Sequence, residues 1–153
     1  MSNHGDLRDV AVVLKMLSPT KSQKQIGALP YRKRGRAIEV LLITSRETKR
    51  WVIPKGWPMQ GKQDWDAAAI EAFEEAGLDG EIGNKSIGTY HYVKRKKFGD
   101  IDCEVTVYPM EVTNLLRDWP EKQERRRKWF KARDAAKKVD EEGLRAIIQA
   151  SLA

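Results

Sequence analysis

Three glutamates carry the most legible chemistry in this chain. Glu71, Glu74 and Glu75 stand at positions i, i+3 and i+4, a spacing that gathers side chains on one face of a helix. Like charges so placed destabilise a helix by about 0.2–0.5 kcal/mol per pair. Glu74 and Glu75 also fall just before Gly77, in the last helical turn, where the macrodipole disfavours an anion by about 0.3–1 kcal/mol. Two readings follow. One is a solvated acidic face paired with some of the many basic side chains. The other is a site for a hard divalent cation. Mg²⁺ takes oxygen ligands, keeps several waters, and is usually held by one or two carboxylates together with substrate phosphates. Such an ion offsets the repulsion and can polarise a phosphoryl group or activate water.

The segment around these acids reads GWPMQGKQDWDAAAIEAFEEAGL from Gly56 onward. It resembles the Nudix box, G-x5-E-x7-R-E-U-x-E-E-x-G-U with U a bulky aliphatic. Gly56, Glu71, Glu74, Glu75, Gly77 and Leu78 fall at the family's spacings. The resemblance implies an α/β/α sandwich with a mixed β-sheet. It also implies an enzyme that hydrolyses acid anhydrides in phosphorus compounds. Glu71 and Glu74 would be its catalytic carboxylates, and Glu71, Glu74 and Glu75 its ligands for Mg²⁺ or Mn²⁺. Lys62 stands where the box has its first glutamate, Ile70 where it has arginine, and Ala72 is smaller than the usual aliphatic. In the family that arginine orients the neighbouring carboxylate through charge-assisted hydrogen bonds, for which isoleucine has no donor.

The tracts TSRETKRWVIPKG, Gly88 to Lys97 and RRRKWFKARDA together resemble the diphosphoinositol polyphosphate phosphohydrolase branch, whose members also cleave diadenosine polyphosphates. The resemblance implies phosphate-binding roles for Thr44, Ser45 and Arg46 before the tryptophan strand, for Lys55 and Gly56 after it, and for Arg95 and Lys97 on a later hairpin. Diadenosine polyphosphates are the preferred substrate reading, with diphosphoinositol polyphosphates behind them. Two other readings stay open: a Nudix-fold binding module with impaired catalysis, motivated by Ile70 and Lys62, and an RNA 5′-end pyrophosphohydrolase, suggested by charge. Glu104 and Glu111 are candidate metal ligands from outside the box.

The elements that must position these residues are legible in part. Ile26 to Arg32 and Ile38 to Thr44 read as strands joined by a turn at Arg34, Gly35 and Arg36. Trp51 to Ile53 is a short strand stopped by Pro54. Asp64 is the expected N-cap of a helix that ends at Gly77, with Trp65, Ala69, Ala72 and Ala76 as its packing face. Strands are expected near Ile87 to Val93 and Cys103 to Val112, joined by a basic hairpin, and at Lys128 to Phe130. Asp134 to Val139 and Glu141 to Leu152 read as helical. Val10 to Leu17 is apolar enough for a strand or a helix, residues 1–9 are polar, and Ser18 to Gln25 reads as a connector. Residues 1–25 form an expected extension, and residues 26–153 the domain.

Composition fits this picture. The chain of 153 residues is 41% hydrophobic and 33% charged, enough for one core and unlike a disordered chain. Its net charge is 29 − 22 = +7, which favours an anionic partner. The cations cluster at Arg32–Arg36, Lys94–Lys97 and Arg125–Lys128. A polyphosphorylated small molecule is the favoured partner and nucleic acid the less favoured one; a monomer or homodimer is expected. The longest apolar run, Val10 to Leu14, is far short of the roughly 20 residues of a membrane helix, and MSNHGDLRD does not read as a secretory leader. A single cysteine, Cys103, excludes an internal disulfide and fits a cytoplasmic location. Trp51, Trp65, Trp129 and Phe130 are expected in the core; Trp57 is the aromatic expected beside the site.

Overall fold

The computed structural model describes residues 22–152. The apolar run Val10 to Leu17 and the polar stretch 1–9 lie outside the described residues. The elements are β1 (Gln23–Arg34), β2 (Ala37–Thr44), β3 (Trp51–Val52), β4 (Lys55–Gly56), α1 (Asp64–Ala76), β5 (Leu78–Ile82), β6 (Gly88–Lys94), β7 (Ile101–Leu115), β8 (Arg127–Lys131), α2 (Ala132–Lys138) and α3 (Glu142–Leu152). The strands form one mixed sheet with a single parallel pair, β1 on β7, running in register from Gln23↔Cys103 to Tyr31↔Glu111.

Alternation in the strands builds two cores, one on each face. Leu41 and Ile43 of β2 join Ile26, Ala28, Met110 and the alanines of α1. Val40 and Leu42 join Leu29, Val105 and Val107 beneath α2 and α3. The apolar run Val40 to Ile43 is what a strand covered on both faces requires. The α/β/α sandwich expected from the sequence is therefore the architecture found.

Two features of the sheet position the site. Near its hairpin β1 pairs with β2, from Tyr31↔Val40 to Arg34↔Ala37. Further on the two strands splay apart, and the short segment carrying β3 and β4 fills the gap. β3 pairs with β2 through Ile43↔Val52, and β4 pairs with β1 through Ile26↔Gly56. Pro54 marks the change of partner; it has no N–H for a ladder, but its carbonyl accepts a hydrogen bond from Ala28 N at 3.0 Å. On the far edge of β7, β6 pairs up to Val107 and β5 from Met110. Pro109 falls between the two partners, where no donor is needed.

The element boundaries depart from the sequence reading in identifiable ways. β1 starts at Gln23 because its polar residues are bound laterally. Lys24 pairs with Asp64 at 2.6 Å, and the buried Gln25 accepts a 2.6 Å hydrogen bond from the Tyr92 hydroxyl. Asp64 is the first residue of α1 and not its N-cap, which is Gln63 with no side-chain capping bond. The buried face of α1 runs through Ala67, Ala68, Ala72, Glu75 and Ala76, so Ala69 lies at its margin. β5, with Asp79, Gly80 and Glu81 and a bulge between Asp79 and Gly80, is a strand that the pattern did not announce.

α1 ends at Gly77, whose φ of 65° is left-handed, and its last turn contains no basic residue. The missing cation comes from β8. Arg127 donates to the carbonyls of Ala76 (2.9 Å), Gly77 (3.1 Å) and Leu116 (2.7 Å), with its guanidinium 4.0 Å from the centre of the Trp119 ring. A cation at this end opposes the dipole. Arg127→Met is expected to lower unfolding free energy by about 2–3 kcal/mol, read as a lower urea midpoint at unchanged slope.

Candidate active site

The splayed end of β1 and β2 brings Gly56 directly over α1. A Cβ at Gly56 would lie 2.1 Å from Oε2 of Glu71, so a larger residue would push the Glu71 carboxylate out of its place. Glycine here lets the Glu71 carboxylate rest against this backbone, a physical reason for the spacing between the two positions. Burial, together with the charges of Glu75, Glu74 and Glu121, pushes Glu71 up to about 7, against the pull of Arg125.

Glu75 lies one turn further along. It is 8% exposed. Its Oε1 accepts a hydrogen bond from Lys55 N at 3.3 Å, and its Oε2 lies 3.6 Å from Nη2 of Arg125. Burial raises its pKa, while Arg125 and Lys55 oppose the rise. Glu74 is half-buried, and its carbonyl accepts from Glu121 N at 3.0 Å. The loop bearing Glu121 and Arg125 is therefore fastened to the end of α1. The ammonium of Lys55 lies 5.0 Å from the centre of the Tyr92 ring; burial lowers its pKa, opposed chiefly by Glu75 and Glu141.

This donor set fits a hard divalent cation. It offers carboxylate oxygens, and burial together with the neighbouring carboxylates disfavours the charged form of Glu71 in the absence of a cation. The three side chains are not already drawn around one point: among the described residues no three His, Cys, Asp or Glu side chains converge to hold an ion. The arrangement matches the binding style of Mg²⁺, in which one or two carboxylates share the ion with water and substrate phosphate oxygens.

The other expected site residues are distributed unevenly. Thr44 is buried at the end of β2, where its hydroxyl accepts from Arg126 N at 2.9 Å and its carbonyl from Arg125 at 3.2 Å. Ser45 bonds Thr48 at 2.6 Å and accepts from Arg50 N at 3.1 Å, closing a turn. Arg46 is exposed, 3.4 Å from Glu124. Arg95 pairs with Asp100 at 2.5 Å on the β6–β7 hairpin, and Lys97 lies over the ring of Phe98. Lys94 of the same hairpin lies 5.2 Å from the centre of Trp57, which is 40% exposed. Glu104 faces His91 at 3.3 Å, and Glu111 pairs with Tyr31 across β1; neither is among the leading charges on Glu71 or Glu75. Trp51 packs edge-on against Phe130 in the core, as Trp65 does against Tyr108.

Sequence reasoning missed Arg125 and Glu121. The tract Arg125–Lys128 reads as a surface charge run, yet the Arg125 side chain is 8% exposed. The available signal was the acidic last turn of α1, which needs cations from elsewhere in the chain.

A mixed sheet between helical layers, with a glycine-seated glutamate helix at its splayed end, defines a class of fold and site. The NUDIX domain model matches residues 21–150, and the chain belongs to that family. It is similar to diphosphoinositol polyphosphate phosphohydrolase 3-beta of Bos taurus, 34% identical over 122 residues that cover 78% of this chain and 70% of that protein. It is also similar to the 3-alpha protein of Mus musculus, 35% identical over 123 residues with the same two coverages, 78% and 70%. Among solved structures, the binary complex of a C. elegans Ap4A hydrolase superposes with a TM-score of 0.62 at 24% identity, covering 83% of this chain and 93% of that one; this likeness concerns the fold.

Glu71 has a folded pKa near 7 against an ordinary 4.5. The metal-free protein is thus relatively most stable below the ordinary value and loses that stability as pH rises through about 7. Glu71→Gln is expected to raise the stability of metal-free protein at pH 8 by about 1 kcal/mol, allowing for solvent screening of the half-exposed group. In thermal melts that is about 3 °C, with no gain at pH 4.

Proposed function

We propose that this chain is a Nudix phosphohydrolase that uses water to cleave a phosphoanhydride bond in a polyphosphorylated small molecule. The observation that carries the reading is the Glu71 carboxylate packed against Gly56 beside Glu74 and Glu75 at one end of α1. Glu71, Glu74 and Glu75 would hold Mg²⁺ or Mn²⁺, which when bound supplies Lewis-acid polarisation of a phosphoryl oxygen. Glu71 and Glu74 would be the catalytic carboxylates, with Glu71 or a neighbour assisting the attacking water. Lys55 on β4, at the foot of the site, supplies a cation for the phosphate chain, and Gly56 lets that chain approach the backbone. Arg46, Arg95 and Lys97 are exposed cations that extend the same role outward, while Thr44 and Ser45 shape the turn that carries Arg46.

The substrate class we favour is the diadenosine polyphosphates, with diphosphoinositol polyphosphates second. The sequence relatives support a substrate bearing a chain of phosphates. Trp57 and Lys94 favour the nucleotide, because an exposed indole offers a stacking surface to a base. Among the described residues no helix is long and apolar enough to cross a membrane, and we place the protein in the cytoplasm on its lone buried Cys103.

A second reading, a binding module with impaired catalysis, is favoured by one observation: Ile70 lines an apolar groove with Phe73, Leu78 and Met110 and turns no donor toward the acids.

A panel of nucleoside and inositol polyphosphates, assayed with Mg²⁺ and with Mn²⁺ and followed by phosphorus NMR, identifies the bond broken. Diadenosine polyphosphates are expected to turn over only with added metal, and chelation to stop the reaction. Glu74→Gln and Glu75→Gln are each expected to reduce the rate by at least about 100-fold. Parent-like rates in both variants would overturn the assigned roles, and binding without turnover across the panel would establish the second reading.

A further inference from the structure

The box position that in the family carries arginine is Ile70 here, and its side chain lies in an apolar groove on the flank of α1. The acidic face nevertheless has a buried guanidinium directed at it, from a loop distant in sequence. Arg125 donates two hydrogen bonds and makes one ion pair. Nε donates to Glu121 Oε1 at 2.8 Å, Nη1 donates to the Thr44 carbonyl at 3.2 Å, and Nη2 lies 3.6 Å from Glu75 Oε2. The two hydrogen bonds fix the plane of the fork and so the edge that it turns toward Glu75. The loop itself is pinned at both ends. Arg126 exchanges hydrogen bonds with Thr44, through Thr44 N to Arg126 O at 3.0 Å and Arg126 N to Thr44 Oγ1 at 2.9 Å. Leu116 N bonds the Gly77 carbonyl at 2.9 Å, and Glu121 N bonds that of Glu74 at 3.0 Å. Glu75 is thus held from two sides, by a backbone N–H of β4 and by this arginine.

We propose that Arg125 is a positioning residue of this active site, a guanidinium supplied from the loop before β8 to orient Glu75 in a box that has Ile70 where the family has arginine. The inference rests on the reading of Glu75 as a metal-holding carboxylate. Arg125 touches no reacting atom in this role; it sets the direction in which Glu75 presents its oxygens. Groups that orient metal-binding side chains in this way typically control metal affinity or activity by about 10- to 100-fold. A lysine at 125 keeps the charge but replaces the fork by a point donor, so it tests orientation with less risk to folding than a neutral residue that would remove the cation facing the buried Glu75.

The experiment uses the full chain. Mn²⁺ binding is measured by titration calorimetry, kcat and KM with diadenosine tetraphosphate, and melting temperature alongside. Arg125→Lys is expected to weaken Mn²⁺ binding about 10-fold and to lower kcat at saturating Mn²⁺ with KM little changed. A residue that merely held the loop would lower the melting temperature with Mn²⁺ affinity and kcat unchanged. Parent-like Mn²⁺ affinity and kcat in a folded Arg125→Lys protein overturns the proposal. Glu75→Gln separates the two levels. If it keeps parent affinity and turnover, the reading of the site itself fails; if it loses both while Arg125→Lys loses neither, only the assignment of Arg125 fails.

Discussion

Negative charge concentrated at the C-terminal end of α1 is the constraint to which the rest of this structure answers. Helix physics puts anions at the opposite end, and α1 has acids at both: Asp64 and Asp66 in its first turn, Glu74 and Glu75 in its last. The first pair is favourable and is helped by Lys24. The second persists because β8 and the loop before it deliver two arginines with different duties. Arg127 satisfies carbonyls and opposes the dipole, while Arg125 faces a carboxylate. Burial and the neighbouring carboxylates still hold Glu71 near 7, against the pull of Arg125. An acidic helix end flanked by arginines suits a cation and a polyanion together.

The sheet contributes through a gap. Had β1 and β2 stayed paired along their whole length, no backbone would lie where Gly56 does. Their divergence admits a short segment that changes partner at Pro54, and this puts a side-chain-free residue against Glu71. The Nudix spacing of glycine to glutamate thus has a steric content independent of any ligand.

Much of this was legible in the sequence. The nearly unbroken apolar run of β2, the alanine-rich stretch of α1 and its stop at Gly77 each obey one local rule, and each was recovered. The resemblance to the box located the acids. What was not legible depends on partners distant in sequence. Gln23 to Gln25 look like connector because the bonds that hold Lys24 and Gln25 in a strand reach Asp64 and Tyr92. β5 is hidden by Asp79, Gly80 and Glu81, which suit an edge but break the pattern. Arg125 resembles its exposed neighbours in type, and only the tertiary structure distinguishes the buried one.

The parallel pairing of β1 with β7 has a kinetic side. These strands are separated by everything from the first hairpin turn to the basic hairpin, a stretch that includes α1 and Gly56. Closing so long a loop carries an entropy cost before any contact rewards it, and non-local pairings of this kind slow folding. The acids and the glycine beneath them are therefore passengers on a long excursion of the chain, and they take up their working arrangement only when that excursion is sealed at its base.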